Sequence, residues 1–269
     1  MLDKARLVEA DAVVFDLEDS VPPAEKATAR HLVSNMLADW PTSSAPVPFV
    51  RVNPPRVGVV RQDIEVLASS PHAGVVVPKV DLPIELDVVF DCVGRHAREV
   101  IVNIETPRSL LRAEAFADTP GVSGLFLGSE DLTNAMGTRR TSAGDELSWP
   151  RFLILTAARA AGIAAYDTIH PEFRDLDVLR LDCERAAALG FDGKFAIHPA
   201  QLPVINQAFT PSEAEIDQAR RLIEMFDEAV TRGDGAIAVD GQMVDPPVAE
   251  RARALLRRAR VGESSASTQ

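Results

Sequence analysis

The chain has little of what sulfur or redox chemistry would need. Its 269 residues include only two cysteines. Neither Cys92 nor Cys183 sits in a CxxC pair or at a zinc-binding distance from a histidine, so a disulfide framework and a Cys/His metal centre are not expected and both thiols read as reduced. Positive charge is also scarce: 28 Lys and Arg stand against 40 Asp and Glu, a net charge of −12. Such a chain is a poor overall partner for nucleic acid or an anionic membrane, although a local basic pocket is compatible with it. No apolar run reaches bilayer-spanning length, and the opening "MLDKARLVEA" lacks the plan of a secretory signal. These absences predict a cytoplasmic protein. There is no short-period repeat of the solenoid type. Histidines are few as well: His31, His72 and His96 fall in helices or loops without ligand spacing, and His170 has no obvious partner. A His-rich transition-metal site is therefore not expected.

What is present is alternation. Apolar residues make up 46% of the chain and charged residues 25%, enough for a large core under an ordinary globular surface. Short apolar runs predict strands at Ala12–Leu17, Val47–Val52, Gly74–Lys79, Val100–Glu105, Gly124–Gly128, Ile163–Asp167 and Lys194–His198. Most are apolar on both faces, as in a parallel sheet covered by helices. Between them lie amphipathic stretches with helix punctuation. "PPAEKATARHLVSNMLAD" opens on proline, "SWPRFLILTAARAAG" opens on a Ser cap and closes on Gly162, and "DVLRLDCERAAALG" closes on Gly190. Strict β–α alternation predicts an α/β fold of the TIM (β/α)8 type, in a barrel domain over residues 1–211. The strand count falls one short of eight. Either the barrel is a seven-strand or open variant, or its first strand belongs before Met1. Beyond the barrel, Ser212 and Glu215 form a capping box for a long helix, Asp240-Gly241 marks a two-residue hairpin, and "PPVAERARALLRRAR" reads as a last helix. This helix–hairpin–helix, residues 212–261, reads as a lid or oligomerisation segment, and residues 262–269 as a disordered tail.

Every predicted strand finishes near an ionisable side chain: Glu18 with Asp19, Arg51, Lys79, Glu105, Glu130 with Asp131, Asp167 and His198. The strand entries are blander. In a parallel barrel all the exits share one rim, where barrel enzymes place their chemistry. Glu105 and Asp131 leave adjacent strands, and a hard cation such as Mg²⁺ takes one or two carboxylates and keeps several waters. Glu18 and Asp19 would face the same ion through water, or pair with Arg51 or Lys79, or both. Arg51 offers a rigid fork for a carboxylate or thioester oxygen. Lys79 reads equally as a substrate contact and as an internal ion-pair partner. Lys26 and Arg30, on the first helix, read as phosphate contacts or as a solvated face.

The segments "ADAVVFDLEDSVPPAEKATAR", "VRVN", "VVVPKV", "IETPRSL", "GLFLGSEDLTNAMG", "ALGFDGKFAIHPAQ" and "GQMVDPPV" occur in that order, and together they resemble the citrate lyase β-subunit-like family of the HpcH/HpaI aldolase/citrate lyase superfamily. That family includes malyl-CoA, citramalyl-CoA and related 3-hydroxyacyl-CoA lyases. The resemblance covers nearly the whole chain. It implies a Mg²⁺-dependent carbon–carbon lyase acting on a CoA thioester, with Glu105 and Asp131 on the metal and Arg51 on the substrate. It also implies a homotrimer or hexamer in which Asp245 of "MVD" serves a neighbouring subunit's site as proton donor or base. One departure stands out: the strand resembling "RSxLFVPG" that normally opens family members has no counterpart here. Two other readings remain open: a CoA-independent class II pyruvate-type aldolase, and a citrate lyase β subunit or an inactive truncated paralogue.

Overall fold

A computed structural model describes residues 2–41, 46–70, 72–94 and 98–266; His96 lies outside them. The described chain divides into two compact units, residues 1–205 and 206–269.

The first unit is built on seven parallel strands paired in chain order: β1 (Ala12–Asp16), β2 (Val47–Arg51), β3 (Gly74–Val77), β4 (Val100–Ile104), β5 (Val122–Leu127), β6 (Ala164–Asp167) and β7 (Gly193–Lys194). Six of the seven expected strands are present close to their expected bounds; the seventh, expected over Lys194–His198, is only the two-residue β7, which shares Lys194 with it. Among the described residues β1 and β7 do not pair with each other, so the sheet is an open, TIM-barrel-like curl. Every residue of β3 and β4 is buried, which fits their apolar two-faced sequences. The helices following the strands include α1 (Lys26–Ala38), α2 (Val60–Glu65), α3 (Asp87–Val93), α4 (Pro107–Leu110), α5 (Ala113–Ala117), α6 (Ser129–Met136), α7 (Ser148–Ala161) and α8 (Leu176–Leu189), and α9 (Leu202–Phe209) runs across the limit of the unit. Helices α7 and α8 stop at Gly162 and Gly190, both left-handed (φ 71° and 109°). Ser148 does not cap α7 as expected. A 3₁₀ turn over Asp145–Leu147 runs straight into the helix, which places Ser148 inside its first turn.

Strand alternation decides what faces the interior. One apolar layer joins Phe49, Val76, Ile101 and Phe126, with Val14, Tyr166 and Phe195 packed against it. Phe126 and Phe195 stack at 3.9 Å. Gly74 is required here, because a Cβ would lie 2.2 Å from the Phe49 ring. Two residues further along, on the same face of each strand, stand Asp16, Arg51, Asn103 and Gly128, with Thr168 beyond β6. The strand period thus stacks a polar layer directly on the apolar one, at the C-terminal end of the sheet.

The second unit holds α10 (Glu213–Arg232), the hairpin β8 (Ile237–Val239) and β9 (Gln242–Val244), and α11 (Pro246–Ala266). The Ser212/Glu215 capping box forms, and the turn residues Asp240 and Gly241 take φ 50° and 81°, as a primed hairpin turn requires. Phe226, Val244 and Ala249 make its core. Helix α11 runs on to Ala266, through residues expected to be unstructured. A helix already nucleated adds one hydrogen bond for each further residue ordered.

Candidate functional site

Seven ionisable rim residues converge on the exits of β1 to β5. Arg51 grips Asp16 with two parallel bonds, Nε to Oδ1 at 2.8 Å and Nη2 to Oδ2 at 2.7 Å. Its Nη1 lies 3.5 Å from Glu18 Oε2. Burial alone would raise the Asp16 pKa, but the Arg51 guanidinium outweighs it and holds the carboxyl down at about 2. Asp16 also accepts from the Glu18 amide and from both the amide and the hydroxyl of Ser20, so it ties down the loop that presents Glu18.

Glu18 is 2% exposed. Its Oε1 is 2.8 Å from Lys79 Nζ but off the hydrogen-bonding direction, and Lys79 also pairs with the exposed Asp19. Burial would lower the Lys79 pKa, but Asp19 and Glu18 hold it above its usual value. Lys79 itself has φ 52°. That left-handed turn aims its backbone N–H at Glu105 Oε1, 2.7 Å away. The internal ion pairs foreseen for Glu18, Asp19, Arg51 and Lys79 are therefore present.

Glu105 sits at the centre, 3% exposed. Its Oε2 accepts from Asn103 Nδ2, the same-face neighbour two residues back. Burial, then the charge of Asp131, then that of Glu18 push its carboxyl up to about 8, against the pull of the Lys79 amide and ammonium. Asp131, half-buried in the first turn of α6, is accordingly close enough to act on Glu105. No hydrogen bond reaches its carboxylate among the described residues. Gly128 makes the approach of β5 feasible: a Cβ there would meet Glu105 Oε2 at 2.6 Å and Asn103 Oδ1 at 2.9 Å. Asn103 Oδ1 is buried without a partner.

This donor set suits a hard cation. It combines two acids, one carrying no hydrogen bond and one pushed toward protonation by its neighbours, with an orphaned amide oxygen beside them. Among the described residues no three His, Cys, Asp or Glu side chains form a ligand cage. The fit is to an ion held by one or two carboxylates with water completing its shell, as Mg²⁺ prefers.

Two residues of the sequence reading have other partners. Lys26 Nζ donates to the carbonyls of Leu17 and Glu18, each at 2.6 Å. Arg30 Nε donates to Asp63 Oδ1 at 2.7 Å, and Asp63 in turn accepts from Asn53. Both cations brace the β1 exit loop and its surroundings, a role that neither the phosphate-contact nor the solvated-face reading included. Asp167, another strand-end acid, is fully buried in an ion network away from solvent. Asp245 belongs to the second unit, where its Oδ1 accepts from the Val248 amide at 3.2 Å and caps α11.

The HpcH/HpaI aldolase/citrate lyase family model matches residues 1–199. The chain belongs to this family. As a member of this lyase family it is an enzyme fold of the citrate lyase β-subunit-like type. It is 37% identical over 246 residues to a (3S)-malyl-CoA thioesterase of Cereibacter sphaeroides (strain KD131), covering 91% of this chain and 85% of the relative. It is likewise 37% identical over 252 residues to the citrate lyase subunit beta-like protein of Deinococcus radiodurans, covering 91% and 88%. Among solved structures it is similar to the Mycobacterium tuberculosis protein CitE in complex with magnesium, acetoacetate and coenzyme A, with a TM-score of 0.77 and 35% identity over 93% of this chain and 90% of that one. The polar layer also holds Asn103, Gly128 and Thr168, none of which was among the candidate residues of the sequence. Period-two counting from the apolar layer would have found all three.

Proposed function

We propose that the chain is a Mg²⁺-dependent lyase that cleaves a short 3-hydroxyacyl-CoA thioester of the malyl, citramalyl or citryl type into acetyl-CoA and a keto acid. The observation that carries this reading is the crowding of Glu18, Glu105 and Asp131 at the exits of β1, β4 and β5, with Glu105 pushed up to about 8 by burial and by the other two. The names of the relatives and the ligands of the similar CitE structure support it. Glu105 and Asp131 would hold the ion, with Asn103 Oδ1 beside them. Magnesium bound there would polarise the hydroxyl and carboxylate oxygens of the departing keto acid.

The other steps belong to side chains. Arg51, oriented by Asp16, keeps part of its fork for the thioester oxygen as enolate charge develops on it. Lys79 and Glu18 form the wall beside that oxygen, and their mutual pairing prevents either charge from competing for the substrate. The substrate hydroxyl loses its proton to water as the carbon–carbon bond breaks, and Asp245, in a neighbouring subunit of a homotrimer or hexamer, delivers a proton to the enolate carbon; in condensation both transfers reverse and Asp245 is the base. The 212–261 segment that carries Asp245 then acts as lid and oligomer contact. The enzyme is cytoplasmic, where acyl-CoA is found.

The test is release of acetyl-CoA from a panel of hydroxyacyl thioesters with and without Mg²⁺. Metal-dependent acetyl-CoA release, abolished by Glu105→Ala, is the expected result. Release of free CoA with an intact hydroxy acid would make the chain a thioesterase, the activity named for the Cereibacter relatives. Turnover that survives chelation of Mg²⁺ would refute the metal reading.

A further inference from the structure

We propose that Thr168 is the positioning residue for Asp131, so that the metal affinity of the rim is set from the neighbouring strand. This rests on the Mg²⁺ reading above. Asp131 is the third residue of α6, and its carboxylate can be no better placed than the start of that helix. On one side the start is fixed by Gly128, whose amide donates to the Ile104 carbonyl at 3.1 Å and whose missing side chain makes room for Glu105. On the other side it is fixed by Ser129, and Ser129 is held by Thr168.

Both residues are buried, at 1% and 0% exposure. The Ser129 amide donates to Thr168 Oγ1 at 3.3 Å, and the two hydroxyls bond each other. Ser129 Oγ also lies 3.2 Å from Glu130 Oε1. Either hydroxyl can supply the proton of the short bond between them. Thr168 thus holds the first residue of α6 through two bonds, one to its amide and one to its hydroxyl. Thr133 adds a bond from its hydroxyl to the Ser129 carbonyl at 2.7 Å.

Thr168 has a firm base of its own. The preceding residue, Asp167, is gripped by Arg151 through Nε at 2.8 Å and Nη2 at 2.9 Å, and by Lys194 Nζ at 2.7 Å. Asp182 bridges the same two cations at 2.7 Å each. Two acids and two bases balance, so the group imposes geometry on the β6 exit without a net charge. The rigidity of β6, β7, α7 and α8 is thereby delivered to Asp131 through one hydroxyl.

Mg²⁺ titration calorimetry on the wild type, Thr168→Val and Thr168→Ser tests this, alongside melting of the metal-free proteins. Thr168→Val removes both bonds and leaves the Ser129 amide without a partner; Mg²⁺ binding should weaken about tenfold or more, as for outer partners of metal ligands. Thr168→Ser should bind as the wild type does. A merely structural Thr168 would lower the metal-free melting temperature while leaving the Mg²⁺ dissociation constant unchanged, and that result overturns the inference. Should Thr168→Val fail to fold, Ser129→Ala removes the partner hydroxyl alone; weakened Mg²⁺ binding there upholds the link and unchanged binding overturns it. Absence of Mg²⁺ binding by the wild type overturns the ion reading itself, and the wild-type titration shows this before any variant is compared.

Discussion

Mg²⁺ binding should release a proton, and Glu105 should be its source. The perturbation is pH. With its carboxyl at about 8, Glu105 is mostly protonated at neutral pH in the metal-free protein, whereas a ligand to the ion must be ionised. Each pH unit below the pKa then weakens binding about tenfold, or about 1.4 kcal/mol. Between pH 6 and pH 8 the affinity should rise about 50-fold, and it should flatten above pH 9. Calorimetry in two buffers of different ionisation enthalpy reads the number of protons released directly: close to one at pH 6.5, falling toward zero at pH 9. Glu105→Gln has no proton to lose, so its residual binding should lose this pH dependence. A wild-type affinity constant between pH 6 and 8, or release of no proton at pH 6.5, would refute the reasoning. It would mean that the Lys79 and Asn103 donors outweigh burial and the neighbouring acids.

The same shift bears on stability. Between the ordinary glutamate value of 4.5 and about 8 the folded form holds a proton that the unfolded chain has lost. The Glu105 contribution therefore falls as pH rises through that window, and urea midpoints of the metal-free protein should drop over it, less so in Glu105→Gln. Gly128→Ala places a Cβ 2.5 Å from Glu105 Cβ; the fold should survive, and Mg²⁺ affinity should fall at least about tenfold by calorimetry. Asp16→Asn removes the charge that orients Arg51 and should lower kcat/KM by about 10- to 100-fold, the scale of a misplacement near 1 Å; unchanged kinetics would show that Arg51 holds its pose without Asp16. Arg151→Met strips the buried Asp167 of its bidentate partner, and urea denaturation should register a loss of about 3–5 kcal/mol.

The sequence by itself determined the strand and helix order, because each apolar run and each helix stop is a local signal. Gly162 and Gly190 take left-handed φ where a helix must end, and Asp240-Gly241 turns where only such residues turn easily. It also determined which rim is charged, since the exits of parallel strands lie together whatever their partners. It did not determine what each charge does. Lys79 pairs with Glu18 and Asp19, and its left-handed backbone, which its own sequence does not advertise, turns its amide to Glu105. Lys26 and Arg30 are taken up by loop carbonyls and by Asp63, and Asp167 is enclosed by bases from α7 and β7. The raised pKa of Glu105 arises from burial and from acids 26 and 87 residues away in the chain. Only the tertiary structure decided these, because Coulomb energy and desolvation depend on distance in space and not on distance along the chain.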